Sequence, residues 1–163
     1  MKLTKNKYLP ISRLKVPDAL WDVVWQARLK DENSGLLHLK SRCQSESLHG
    51  AGFTRNITTV VGDTCSHLET LLLHPHLFKP DYVLSLNTYE YMRDRARRLY
   101  LVQLSQVADW ARCPVYLAYT DPDKLKTGFK TRLEPGRFFK YSEELTGPEC
   151  RLRVLKLSNH KET

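Results

Sequence analysis

The sequence has no Cys-x-x-Cys pair, no apolar run approaching the ~20 residues of a bilayer-spanning helix, and no internal repeat or low-complexity tract. Its four cysteines, Cys43, Cys65, Cys113 and Cys150, stand far apart. A chain of 163 residues can bury a core without disulfides, so reduced thiols in a reducing compartment are expected. The first seven residues are charged, and Pro10, Arg13, Lys15 and Asp18 break what a signal peptide would keep apolar. These absences point to a cytoplasmic protein with no membrane partner. No composition shift marks a boundary, so residues 1–163 are expected to form a single globular domain with a short basic N-terminal extension.

What is present is a folded composition, 41% hydrophobic, and a formal net charge of +8. The charge favours an anionic partner. The clearest pattern runs from Lys79 to Thr120. Asp81–Leu86 reads as a buried strand, Thr88–Arg112 as an amphipathic helix and Pro114–Thr120 as a second buried strand. A helix between two apolar runs makes a crossover between parallel strands the expected connection. Asn87 or Thr88 is the expected N-cap, with Glu90 completing a capping box. Met92, Ala96, Leu99, Tyr100, Gln103, Leu104, Val107 and Ala111 share the inner face, with Arg93 and Arg97 on its border and their guanidinium groups in solvent.

Upstream, Ile57–Val61 reads as a strand and Thr64–Leu73 as a helix ended by His74-Pro75-His76. Leu36, Leu37 and Leu39 form a strand or end a helix. Before them, Pro17–Leu29 has helical spacing with Trp21 and Trp25 on one side, and the tip of the chain suggests a short edge strand. Residues 42–52 read as a loop. Downstream, Glu134-Pro135-Gly136 is a turn signal between strands at Phe129–Leu133 and Arg137–Lys140, and Cys150–Leu157 alternates as a final strand. The expected fold is α/β: a two- or three-layer core around a βαβαβ unit from Ile57 to Thr120, a mainly parallel sheet, a C-terminal β-hairpin and a final strand.

Three groups of residues could carry chemistry. Asp121 and Asp123, just past a predicted parallel strand, lie where open α/β sheets bind ligands and could hold Mg²⁺ for phosphoryl transfer. Asp63 would share their edge as a third catalytic carboxylate, with Asn87 completing a polar rim. Asp-Pro-Asp is also ordinary turn chemistry. Cys65, His67, His74 and His76 are zinc-type donors in one region, but their spacing fits no known finger, so zinc is not expected. Finally, Lys124, Lys126, Lys130, Arg132, Arg137 and Lys140 alternate with Phe129, Phe138, Phe139 and Tyr141, combining phosphate-neutralising charge with rings that stack on bases. The same pattern suits an exposed hairpin with a half-buried aromatic face.

The leading expectation is a small basic protein that binds nucleic acid through this C-terminal β region, Lys124, Lys126, Lys130, Arg132, Arg137, Phe138 and Lys140 making the contacts. An alternative is a metal-dependent phosphoryl-transfer enzyme or nuclease using Asp121, Asp123 and Asp63. A further alternative is an accessory or inhibitor protein without catalysis that binds a protein partner through the Trp21/Trp25 helix and the 42–52 loop. The motifs do not identify a family.

Overall fold

The computed structural model describes residues 36–40, 57–61, 63–121, 132–147 and 152–161. The expected N-terminal strand, the Trp21/Trp25 helix, the 42–52 loop and the stretch 122–131 lie outside the described residues. Six strands form one sheet: β1 (Leu36–Lys40), β2 (Ile57–Val61), β3 (Tyr82–Leu86), β4 (Val115–Thr120), β5 (Tyr141–Glu144) and β6 (Leu152–Ser158). They lie in the order β2-β1-β3-β4-β6-β5. β1 pairs in parallel with β2 and β3, and β3 with β4. β6 pairs antiparallel with β4 and with β5.

The fold is therefore α/β with a mixed sheet, three of its five strand pairings parallel and two antiparallel. The expected βαβαβ unit is present from β2 to β4, with β1 inserted between its first two strands. The hairpin is a correction. Its expected second strand, Arg137–Lys140, is largely a 3-10 turn, Pro135–Phe138, and the antiparallel pair forms one step later between β5 and β6. Pro135 supplies a fixed φ and no amide, which suits the start of such a turn and not a paired strand. Gly136 is needed there for space, since a Cβ would lie 2.8 Å from Ser142 Oγ.

Two helices, α1 (Thr64–Leu73) and α2 (Asp94–Ala111), connect β2 to β3 and β3 to β4. Both connections step the same way across the sheet, so right-handed crossovers bring both helices to one face. They do contact each other there, and Gln103 Nε2 donates to Cys65 O at 3.0 Å. Leu68 and Leu71 from α1 and Tyr100, Leu104, Val107 and Ala111 from α2 join Leu37, Leu39, Val83, Leu117 and Leu157 in the core. Among the described residues, no helix is long and apolar enough to cross a membrane.

α2 begins later than its sequence suggests and is rotated relative to it. Asn87 takes the left-handed conformation, φ 48°, which asparagine tolerates better than most residues. Tyr89–Tyr91 is a 3-10 turn, Met92 is extended, and α2 starts only at Asp94 with no side-chain cap. Arg97, Leu101 and Ala108 are buried, whereas Leu99 is 50% exposed. Arg112 ends the helix in the left-handed region, and Pro114 follows.

Candidate functional site

Strand order reverses between β1 and β3: the chain runs outward from β1 to β2, returns to β3 on the other side of β1 and continues to β4. In open α/β sheets the crevice beyond the carboxyl ends of the strands at such a reversal is where ligands bind. Thr88 closes the reversal. Its Oγ1 donates to Leu86 O at 3.0 Å, with Leu39 O, at the end of β1, also within 3.5 Å. Asn87 N donates to Ala118 O at 3.0 Å, tying the exit of β3 to β4.

The Tyr89–Tyr91 turn then folds polar groups inward. Glu90 is fully buried, its Oε2 accepting from Thr120 N at 2.7 Å while Oε1 has no partner. Burial pushes its carboxyl up to about 7, against the opposing pull of the Thr120 amide and the Arg97 guanidinium. Tyr89 packs edge-on against Tyr119, with ring centroids 5.0 Å apart, and its buried hydroxyl also lacks a partner. Burial, first, and the neighbouring Tyr119 raise the Tyr89 phenol well above its usual range.

Arg97 holds this turn. From the first turn of α2, its Nε donates to Tyr89 O at 3.1 Å and one terminal nitrogen to Glu90 O at 2.8 Å. The other lies 3.4 Å from Asp94 Oδ1, and the guanidinium sits 5.3 Å from the Tyr89 ring centroid. A fully buried guanidinium is tolerated because backbone carbonyls and a carboxylate replace its water.

A second polar group lies by the first turn of α1. Tyr100 OH contacts Ser85 Oγ at 2.7 Å, and Gln103 reaches the Cys65 carbonyl. Thr64 Oγ1 and Gln103 Oε1 are buried and have no partner. Burial raises both the Tyr100 phenol and the half-buried Cys65 thiol.

Of the residues expected from sequence, Asp63 and Asp121 lie apart and several others lie outside the described residues. Asp63 is an exposed N-cap of α1: its carboxylate accepts from Ser66 N at 3.2 Å and Ser66 Oγ at 2.8 Å, and these bonds hold its pKa below the usual range. It stands at the end of β2, three strand positions from β4 and Asp121. At about 4.8 Å per strand that is roughly 14 Å, too far for both to grip one ion. Asp123, Lys124, Lys126 and Lys130 lie outside the described residues. Arg132 and Lys140 are exposed, and Lys140 N donates to Asn159 Oδ1 at 2.9 Å. Arg137 is ion-paired with Glu134 at 3.1 Å, and Phe138 is half-buried against the core. Among the described residues, no group of three or more His, Cys, Asp or Glu could hold a metal ion. His74 and His76 approach each other edge-on, with centroids 6.0 Å apart.

Sequence reasoning missed Tyr89, Glu90 and Arg97. Their signal was a Tyr-Glu-Tyr triplet just past a buried strand, read instead as the start of a solvent-capped helix.

No family model matches the chain, and no curated protein matches it. A solved structure, magnesium protoporphyrin IX methyltransferase from Synechocystis PCC 6803 with bound SAM, is similar at 9% identity and a TM-score of 0.49, over 86% of this chain and 78% of that one. The second strand of the expected basic hairpin is largely a turn, one of its arginines is paired, and its Phe138 packs inward. Assignment as a nucleic-acid-binding protein or nuclease is therefore corrected.

Proposed function

We propose that this is a small-molecule-binding α/β protein whose ligand sits against the carboxyl ends of β1, β3 and β4. The four parallel-paired strands form the binding half, and β5 and β6 extend the sheet beyond it. One observation carries the reading. Among the described residues, four buried side-chain atoms lack a hydrogen-bond partner: Thr64 Oγ1, Tyr89 OH, Glu90 Oε1 and Gln103 Oε1. All belong to the segments leaving β2 and β3, or to the helix packed over them. A buried polar atom without a partner costs about 1–3 kcal/mol, so these groups favour a ligand that supplies donors and acceptors.

Thermal unfolding of the full chain with a panel of nucleosides, nucleotides, amino acids and S-adenosylmethionine tests this. A ligand at a hundredfold excess over its dissociation constant stabilises by about 2.7 kcal/mol, and the melting temperature should rise by several degrees. Tyr89→Phe should weaken the response. A panel that leaves the melting temperature unchanged throughout would remove the reading.

A further inference from the structure

Resting on that binding site, we propose that its ligand presents a protonated amine to Glu90 Oε1 and pairs with it as an ammonium–carboxylate. The geometry of Glu90 selects this chemistry. Oε2 is committed to the Thr120 amide, so Oε1 is the atom left to serve a ligand. Arg97, whose charge acts on Glu90, is already engaged by two carbonyls and Asp94.

The surrounding charge agrees. α2 brings Asp94, Arg97 and the neutral Tyr100; β4 brings Tyr119 and leads into Asp121; β6 brings Arg153 over the Tyr119 ring at 5.6 Å, paired with Glu144 of β5 at 2.9 Å. Among the described residues, with Glu90 ionised, four carboxylates and two guanidinium groups surround the Tyr89–Tyr119 pair beside it. On a chain whose net charge is +8, these described groups sum to an acidic corner. An amine is therefore accepted where a phosphate would be repelled.

The proton balance is simple. Below its midpoint the empty site holds a neutral carboxylic acid. Binding of the ammonium ion forms the carboxylate pair, and the proton from Glu90 leaves to solvent, while no covalent bond to carbon changes.

The Thr120 amide, bonded to Glu90 Oε2, reports this directly in a nitrogen–proton NMR titration of the full chain. Butylamine and butanol serve as probes that differ only in the group at issue. Saturating butylamine should lower the Thr120 midpoint by about one pH unit, equivalent to a tenfold preference for ionised Glu90. Butanol should leave it in place. Glu90→Gln should keep the fold and abolish both the titration and the butylamine effect. An unchanged midpoint with butylamine, while panel compounds still raise the melting temperature, overturns the amine assignment and leaves the binding site standing. Persistence of the butylamine shift in Glu90→Gln overturns it as well. If no panel compound raises the melting temperature and neither probe perturbs Thr88–Glu90 or Thr120, the site and the amine fall together.

Discussion

Arginine behaves in opposite ways in two corners of this molecule. At the exit of β3, Arg97 is 0% exposed and organises a turn through two backbone carbonyls. At the C-terminal edge, Arg137 is 80% exposed and held by one carboxylate, while Arg153, 36% exposed, pairs with Glu144 and covers the Tyr119 ring from the outside. The first is a structural fixture that cannot be removed without stranding its partners. The others lie in or near water, which replaces them at little cost. Net charge counts all three alike, and so a basic composition pointed to an anionic partner when the most organised polar corner is acidic.

The largest effect that would break this contrast is expected at Arg97. Arg97→Met leaves the carbonyls of Tyr89 and Glu90 buried without donors and should cost about 3–5 kcal/mol in urea unfolding. Arg97→Lys keeps the charge but cannot span both carbonyls, and should recover only part of the loss. A loss below about 1 kcal/mol for the methionine variant would place Arg97 with the surface arginines.

Glu90 comes next. Its carboxyl is raised to about 7 in the fold from an ordinary value of 4.5, so the folded state binds the proton more tightly than the unfolded chain. Its contribution is fully present below about pH 4.5 and is lost as pH rises through about 7. The loss is on the order of 3 kcal/mol. Glu90→Gln should flatten this part of the stability–pH curve and raise stability at pH above 7 relative to the parent. A parent curve that rises across the same window would show that the Thr120 amide and Arg97 outweigh burial.

Much of the framework was legible because it rests on local pattern. β2, β3, β4 and α1 occupy the expected stretches, since apolar runs and turn residues mark them without knowledge of neighbours. The insertion of β1 was not legible, because strand order depends on long-range pairing that periodicity does not encode. Nor was the Tyr89–Arg97 corner. A glutamate three residues after asparagine is normally a solvent-side cap, and only the arrival of Thr120 from β4 turns it into a buried acceptor. Arg97 was expected at the border of the apolar face with its guanidinium in solvent, but the buried face of α2 is rotated to include it. What the helical projection could not show is that Asn87 turns the preceding segment back across that border and supplies carbonyls to bury it. The hairpin's second strand failed for a related reason: the turn expected at Glu134-Pro135-Gly136 continues through Arg137 and Phe138, and the strand begins only at Tyr141.

Two smaller effects sharpen the comparison. Tyr100→Phe removes a buried 2.7 Å bond and strands Ser85 Oγ, and should cost about 1–2 kcal/mol without altering far-ultraviolet circular dichroism. Glu134→Ala removes the partner of Arg137 where both side chains are mostly in water, and should change stability by less than about 0.5 kcal/mol. That small change should shrink further in added salt, because the pair is screened as well as solvated. A loss comparable to that of Tyr100→Phe would mean that the Pro135–Phe138 turn depends on its ion pair, and the division between a buried polar corner and a water-supported edge would no longer hold.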